Sequence, residues 1–311
     1  MRKLRGLVQN SLVEITMRTF QGRYLLRPSA EVNQTVLGVL GRGQRRTEIP
    51  ICGVAFQSSH YHMLAVPEST QQLSEFMMFV NGNIARKVGR LQGWRGKLWD
   101  RRYQHITVSD EPEAQIGRLR YLLSQGVKEG LVRNPEDWPG VHCVHQLKGG
   151  YAEVKGGVWR DQTAEYYARR AGKVLKPQDF LFEEWVRLTP IPCFEELSRA
   201  ERMEQVQELL REIDRLRRQR RQETGRAPLG KKRILHQVPD YRPKKVKRSP
   251  APAFHAVARG HYEKQRERYW AFLDDYRDAA EKLRAGVIGV VFPAGCFPPR
   301  LPYVPEIRAG P

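Results

Sequence analysis

The sequence predicts an α+β protein: a ferredoxin-like antiparallel sheet with flanking helices over residues 1–150, then a mainly helical region over residues 151–311. Two observations carry this. Apolar runs in the first half follow the order strand–helix–strand–strand–helix–strand, which is that of the split βαβ sheet. Beyond residue 150 the alternating runs give way to long stretches with apolar residues every three or four positions.

Residues 12–20 are rich in β-branched side chains and residues 24–26 continue the run, so a strand or hairpin is expected there. Ser29 caps a helix carrying Val32, Val36, Val39 and Leu40 at helical spacing. Residues 49–56 and 61–66 are two further apolar runs broken by Ser58-Ser59. Ser69-x-x-Gln72 is a capping box before a long helix with Leu73, Phe76, Met77, Val80, Ile84 and Val88 on one side. Residues 98–108 read as a strand and residues 112–128 as a helix. In the second half Ser198-x-x-Glu201 caps a helix whose stripe is Met203, Val206, Leu209, Leu210, Ile213 and Leu216. A helix over residues 255–285 places Tyr262, Tyr269, Tyr276 and Leu283 seven apart, a stripe better suited to packing than to stacking on bases, and Gly286 ends it. These two helices are expected to pack on each other, and the proline-rich residues 292–305 to be extended.

The chain of 311 residues carries 54 Lys and Arg against 34 Asp and Glu, a net charge of +20. That excess points to a polyanionic partner, because every phosphate held by a cation releases counterions. The charge is concentrated in two places, +9 over residues 1–150 and +10 over residues 208–248. The second is a run from Arg215 to Arg221, then Lys231-Lys232-Arg233 and a cluster beginning Lys244-Lys245, interrupted by Gly225, Pro228, Gly230, Pro239 and Pro243. It reads as a mobile basic linker over about residues 215–250, either a phosphate-binding arm or a solvated spacer. No apolar run approaches the roughly 18 residues that span a membrane. Gln9 and Asn10 interrupt the apolar part that a signal peptide would need, and Cys52, Cys143, Cys193 and Cys296 form no C-x-x-C pair, so a cytoplasmic protein with reduced thiols is expected.

His60-Tyr61-His62 lies in a strand, where alternation sends both imidazoles to one face. That spacing suits two ligands of one divalent ion, or two histidines in ordinary hydrogen bonds. On the helix predicted over residues 112–128, Ile116, Leu119, Leu123 and Val127 form the stripe that faces the core. Arg118, Tyr121, Gln125 and Lys128 therefore cluster on the other side. A tyrosine among cations, away from the buried stripe, is placed to act on a phosphate, and Gln125 supplies an amide oxygen one turn further on.

His60-Tyr61-His62, the segment Gly96-Lys-Leu-Trp-Asp-Arg-Arg-Tyr103, Tyr121-Leu-Leu-Ser-Gln125, and the continuation through Gly126-Val-Lys-Glu-Gly-Leu-Val132 and Pro135-Glu-Asp-Trp138 occur in an order and spacing that resemble one family. It is that of the HUH single-tyrosine transposases, specifically the REP-associated tyrosine transposases, and the resemblance covers about residues 6–145. It implies that residues 1–150 are the transposase domain, that His60 and His62 hold Mg²⁺ or Mn²⁺ with Gln125 as third ligand, and that Tyr121 is the nucleophile. Tyr61 stands at the family's hydrophobic position. The implied activity is cutting single-stranded DNA beside an imperfect hairpin through a 5′-phosphotyrosine and rejoining it, without ATP, in a family that usually works as a dimer. Tyr103 is the rival nucleophile, but its place in the strand after Trp99 suits packing. Arg118, Lys128, Arg101, Arg102, Lys231, Lys232, Arg233, Lys244 and Lys245 are the candidate DNA contacts. A domesticated nuclease that processes repeats, or a DNA- or RNA-binding regulator that has lost catalysis, are the alternatives.

Overall fold

Strand β1 (Val13–Arg18) is the hub of the sheet in the computed structural model, which describes residue 4 and residues 6–173, 176–244 and 252–299. Helix α1 (Ala30–Thr47) follows, with the Ser29 hydroxyl accepting from the Val32 amide at 3.2 Å. Then come β2 (Ile51–Phe56), β3 (His60–Ala65) and α2 (Thr70–Leu91). The Ser69 hydroxyl caps α2 at the Gln72 amide, but Gln72 reaches back to the Glu68 amide rather than to Ser69. Strand β4 (Gln104–Val108) and helix α3 (Pro112–Leu123) complete the first half.

The sheet order is β2-β3-β1-β4, and these neighbours are antiparallel, as the ferredoxin-like reading requires. Register divides the side chains between two faces. Thr16 lies opposite His62 and Arg18 opposite His60, so Glu14, Thr16, Arg18, His60 and His62 share one face. Tyr61 lies on the other, where its hydroxyl donates to Asn81 of α2 at 2.8 Å. Helices α1 and α2 pack together on the Tyr61 side, whereas α3 covers the histidine side, with Leu122 lying against Gly53 of β2.

Two elements are shorter than the sequence suggests. The strand expected over residues 98–108 begins only at Gln104, because the segment before it crosses the end of β1 in a single bridge between Thr19 and Trp99. The helix expected to reach Lys128 stops at Leu123. Gly126 then takes φ +87°, a left-handed conformation that closes a compact turn on which Val127 is buried.

The later region is mainly helical but also contains a hairpin that the sequence does not suggest. After α4 (Val144–Gly149), β5 (Glu153–Arg160) pairs with β6 (Leu181–Arg187) around α5 (Gln162–Arg170). The hairpin backbone lies directly on α1: a Cβ on Gly38 would overlap the Val158 carbonyl, and one on Gly41 would stand 2.6 Å from the Trp185 carbonyl oxygen. The buried Glu184 fixes this contact with ion pairs to Arg45 at 2.6 Å and Arg42 at 3.3 Å.

Helix α6 (Arg199–Thr224) has its complete capping box at Ser198 and Glu201 and buries Val206, Leu209 and Ile213, while Leu216 is exposed. It packs on α3 and α4 instead of on the last helix, the neighbour expected from the sequence. The segment that reads as a mobile linker is docked up to Tyr241. Leu229 and Gly230 donate to the carbonyls of Gly130 and Leu131, and α7 (Lys231–Leu235) buries Ile234 in the main core. Ser58 donates to Gln237 at 2.6 Å, and Tyr24 stacks on Tyr241. The prolines and glycines here shape a close-fitting path instead of loosening it. Lys245 and the rest of the basic run to residue 250 lie outside the described residues, as do residues 300–305 of the proline-rich tail.

The chain then returns to the sheet. Strand β7 (Phe254–His255) pairs parallel with β4 and makes a fifth, outer strand. Helix α8 (Arg259–Arg284) begins four residues later than expected and ends before Gly286 at φ +83°. Its Tyr269 hydroxyl donates to the Leu4 carbonyl and its Tyr276 ring meets Phe292, so part of the aromatic stripe covers the N-terminal segment and the tail.

Candidate active site

The site is built where β3, α3 and β7 converge. His60 and His62, two residues apart on β3, have ring centroids 5.2 Å apart and nearly perpendicular planes. The His60 Nδ1 pairs with the Ser59 hydroxyl at 3.2 Å. Burial, then the neighbouring His62 and Arg18, holds the His60 imidazole well below its ordinary pKa, in the neutral form that can donate a lone pair. His62 Nδ1 donates to Glu14 Oε1 at 2.8 Å, which fixes the tautomer and leaves Nε2 directed away from that carboxylate.

Helix α3 lays Tyr121 against this pair, its ring centroid 5.3 Å from that of His62, from the same chain. Lys128 Nζ stands 3.8 Å from the centre of the Tyr121 ring and the Arg118 guanidinium 5.5 Å from it. Gln125 sits in the turn after α3, where its Nε2 donates to the Tyr121 carbonyl at 3.0 Å. The Gln125 amide lies against His60, and its Oε1 is buried with no hydrogen-bonding partner. The structure thus brings His60, His62, Tyr121 and Gln125 together.

The orphaned Oε1 tests whether these residues suit a divalent ion. A buried acceptor without a donor carries a desolvation cost of about 1–3 kcal/mol, and a cation would offset it. Among the described residues no group of three His, Cys, Asp or Glu side chains could hold a metal, so two imidazoles and this amide oxygen are the available set. Two imidazole nitrogens and one amide oxygen suit a divalent transition ion such as Mn²⁺ better than Mg²⁺, which prefers oxygen ligands, and leave positions for phosphate oxygens and water.

The candidate DNA contacts separate into groups. Lys128 borders the tyrosine. Arg118, on the same helix, is occupied: it donates to Glu14 Oε2 at 2.9 Å and pairs with His255 Nδ1 at 2.7 Å. Arg101 and Arg102 are exposed at the sheet end that carries His60, Arg101 paired with Asp100 and Arg102 over the Tyr103 ring. Lys231, Lys232 and Arg233 are exposed on α7; Gln237, two residues past its end, is held by Ser58 close to His60, and Lys244 is exposed further on. Tyr103 packs against the core, and burial raises its phenol above the ordinary value against the opposing pull of Arg102.

Three contributors are not evident from the sequence. Glu14 has one signal, a carboxylate inside the apolar run Leu12-Val13-Glu14-Ile15. His255 has none, because its partner is 137 positions away. The arginines of α6 near Tyr121 read as part of a linker, although the Ser198 capping box marks the helix that carries them.

An antiparallel ferredoxin-like sheet with a histidine pair on an inner strand and a tyrosine-bearing helix across that face defines the class of domain. Residues 14–125, about a third of the chain, match the family model described as transposase IS200 like. Two solved structures are similar in part. One is a REP-associated tyrosine transposase bound to a REP hairpin, 15% identical over 48% of this chain and 84% of that one, with a TM-score of 0.37. The other is a protein from Deinococcus radiodurans R1 provisionally described as a transposase, 22% identical over 38% of this chain and 95% of that one, with a TM-score of 0.28. No curated protein matches the chain. No helix among the described residues is long and apolar enough to cross a membrane.

Proposed function

We propose that this transposase cleaves and rejoins single-stranded DNA beside hairpin or palindromic elements through a 5′-phosphotyrosine. The observation that carries the reading is the placement of Tyr121 against His62, on the sheet face that also holds His60 and the unpartnered Gln125 oxygen. His60, His62 and Gln125 would hold Mg²⁺ or Mn²⁺, which supplies charge neutralisation at the scissile phosphate.

The protein's own groups do the rest. Tyr121 Oη attacks phosphorus, a P–O bond forms as the phenolic proton is lost, and the P–O3′ bond breaks. The departing 3′ oxygen gains a proton and becomes a free hydroxyl. Lys128 and the helix hold the ring in place, which converts a bimolecular encounter into a positioned attack. A 3′-hydroxyl reverses the step, and because the phosphotyrosine keeps the energy of the diester, no nucleotide is consumed. DNA with a hairpin is the proposed partner, and work as a homodimer in the cytoplasm, on nucleoid DNA, belongs to the same proposal.

The test is covalent trapping. Wild-type protein with Mn²⁺ and a single-stranded hairpin oligonucleotide should give an adduct stable in denaturing gels. Tyr121→Phe and His60→Ala should give none, whereas Tyr103→Phe should. An adduct that survives in Tyr121→Phe and disappears in Tyr103→Phe would reverse the assignment.

A further inference from the structure

Gln57 follows β2 directly and is a second amide side chain buried beside the histidines. Its backbone N–H donates to the His60 carbonyl at 2.8 Å, and Ala55 lies opposite His62. Alternation therefore sends the Gln57 side chain to the face that carries both imidazoles. The residue is 1% exposed, and neither its Oε1 nor its Nε2 has a hydrogen-bonding partner. The Oε1 lies 3.6 Å from where a Cβ on Gly126 would stand, so the amide sits against the turn that carries Gln125. The same point is 3.2 Å from the Trp138 ring and from Val132.

The polar groups around it are engaged elsewhere. Trp138 Nε1 donates to the Phe56 carbonyl at 2.7 Å and the Ser58 hydroxyl to Gln237 at 2.6 Å. The Ser59 hydroxyl pairs with His60, and Gln125 Nε2 donates to the Tyr121 carbonyl. A buried amide without partners carries a desolvation cost that an aliphatic side chain of similar size avoids. A leucine here would pack against Trp138 and Val132 without it, so packing alone does not account for the glutamine. Gln125 Oε1, on the residue before Gly126, is in the same condition. Two unpaired amide oxygens thus lie beside one imidazole. A hydrated cation relieves both, with the ion at one oxygen and the hydrogens of its bound water at the other.

We infer that Gln57 is a positioning residue for the divalent ion assigned to His60, His62 and Gln125, and that its Oε1 accepts a hydrogen bond from a water bound to that ion. The inference rests on the proposed ion site but not on cleavage, and it can be read without DNA.

The full-length protein is tested by Mn²⁺ calorimetry and, without metal, by urea unfolding. Gln57→Leu should weaken Mn²⁺ binding by about 10- to 100-fold, the usual effect of losing a partner of a metal-bound group. Its metal-free form should unfold at the same urea concentration as wild type or a higher one, because the unpaired amide is gone. Gln57→Glu keeps an acceptor and adds charge, so it should bind Mn²⁺ at least as tightly as wild type while its metal-free form unfolds earlier. A glutamine kept for packing would behave in the opposite way: Gln57→Leu would unfold at lower urea with its Mn²⁺ affinity unchanged, and that result would overturn the inference. Water-proton relaxation at saturating Mn²⁺ separates positioning from direct ligation. The number of waters on the ion should be the same in wild type and Gln57→Leu, and a gain of one in the variant would make Gln57 a ligand and reject the positioning role. If His60→Ala lowers Mn²⁺ affinity and Gln57→Leu does not, the ion site stands and this inference alone fails. If His60→Ala binds Mn²⁺ as wild type does, the ion site fails and this inference with it.

Discussion

Glu14 on β1 holds His62 on β3 by a diagonal contact across the sheet: its Oε1 accepts from the ring Nδ1 at 2.8 Å. Register explains the geometry, since Glu14 lies opposite Leu64 and His62 opposite Thr16, two positions along on the same face. Burial works to raise the Glu14 pKa, but hydrogen bonds and charge from His62 and Arg118 outweigh it and hold the carboxylate below its ordinary value. The ionised group thereby links the histidine-bearing strand β3 to helix α3, which carries Tyr121.

Glu14→Gln keeps the shape but removes the charge and the acceptor pair. Mn²⁺ affinity, measured by calorimetry in a Tyr121→Phe background, should fall by about 10- to 100-fold. Unchanged affinity would show that His62 needs no such support.

Docking of the basic segment predicts a stability effect. Ile234 is fully buried, so Ile234→Ala should cost about 2–5 kcal/mol in urea unfolding. A segment that merely spans solvent would leave the transition where it is.

The α1–hairpin contact has no room for a methyl group at Gly38. Gly38→Ala should destabilise the protein by about 1–3 kcal/mol and raise hydrogen exchange in β5 and β6 before the main sheet. Equal protection in variant and wild type would mean that the helix and hairpin separate at no cost.

His142 supplies a pH dependence. Burial, then the charge of His145, lowers its pKa to about 4, and its Nε2 is buried without a partner. The folded state therefore refuses a proton that the unfolded chain accepts below about pH 6.5. Its contribution is complete above pH 6.5 and is lost as pH falls towards 4, by up to about 3 kcal/mol. His142→Leu should flatten this part of the stability profile, and a wild-type curve flat from pH 6.5 to 4 would contradict the assignment.

Local periodicity makes much of this site readable. Period two places His60 and His62 together, and period 3.6 separates Tyr121 from the stripe of Leu119 and Leu123. Gln125 reaches the site although its helix ends at Leu123, because the turn closed by Gly126 returns its amide to the tyrosine carbonyl. What escapes is set by pairing between distant segments. The turn residues Pro228 and Gly230 do mark a bend, but nothing local to them reveals the Gly130 and Leu131 carbonyls that receive Leu229 and Gly230. The β5–β6 hairpin is obscure because its sequence places Glu183 and Glu184 amid aromatic residues, and only the Arg42–Arg45 face of α1 makes a buried glutamate tolerable there.

The late arrival of β7 imposes an order on biosynthesis. Arg118 must wait 137 residues for His255. A chain still being translated can pair its first four strands, yet it lacks the outer strand, one partner of that arginine and the C-terminal lining of the space beside Tyr121. A message cut short before that point yields a sheet with its tyrosine and α6 but without β7 and without His255 and Val257, the last residues to line the space beside Tyr121.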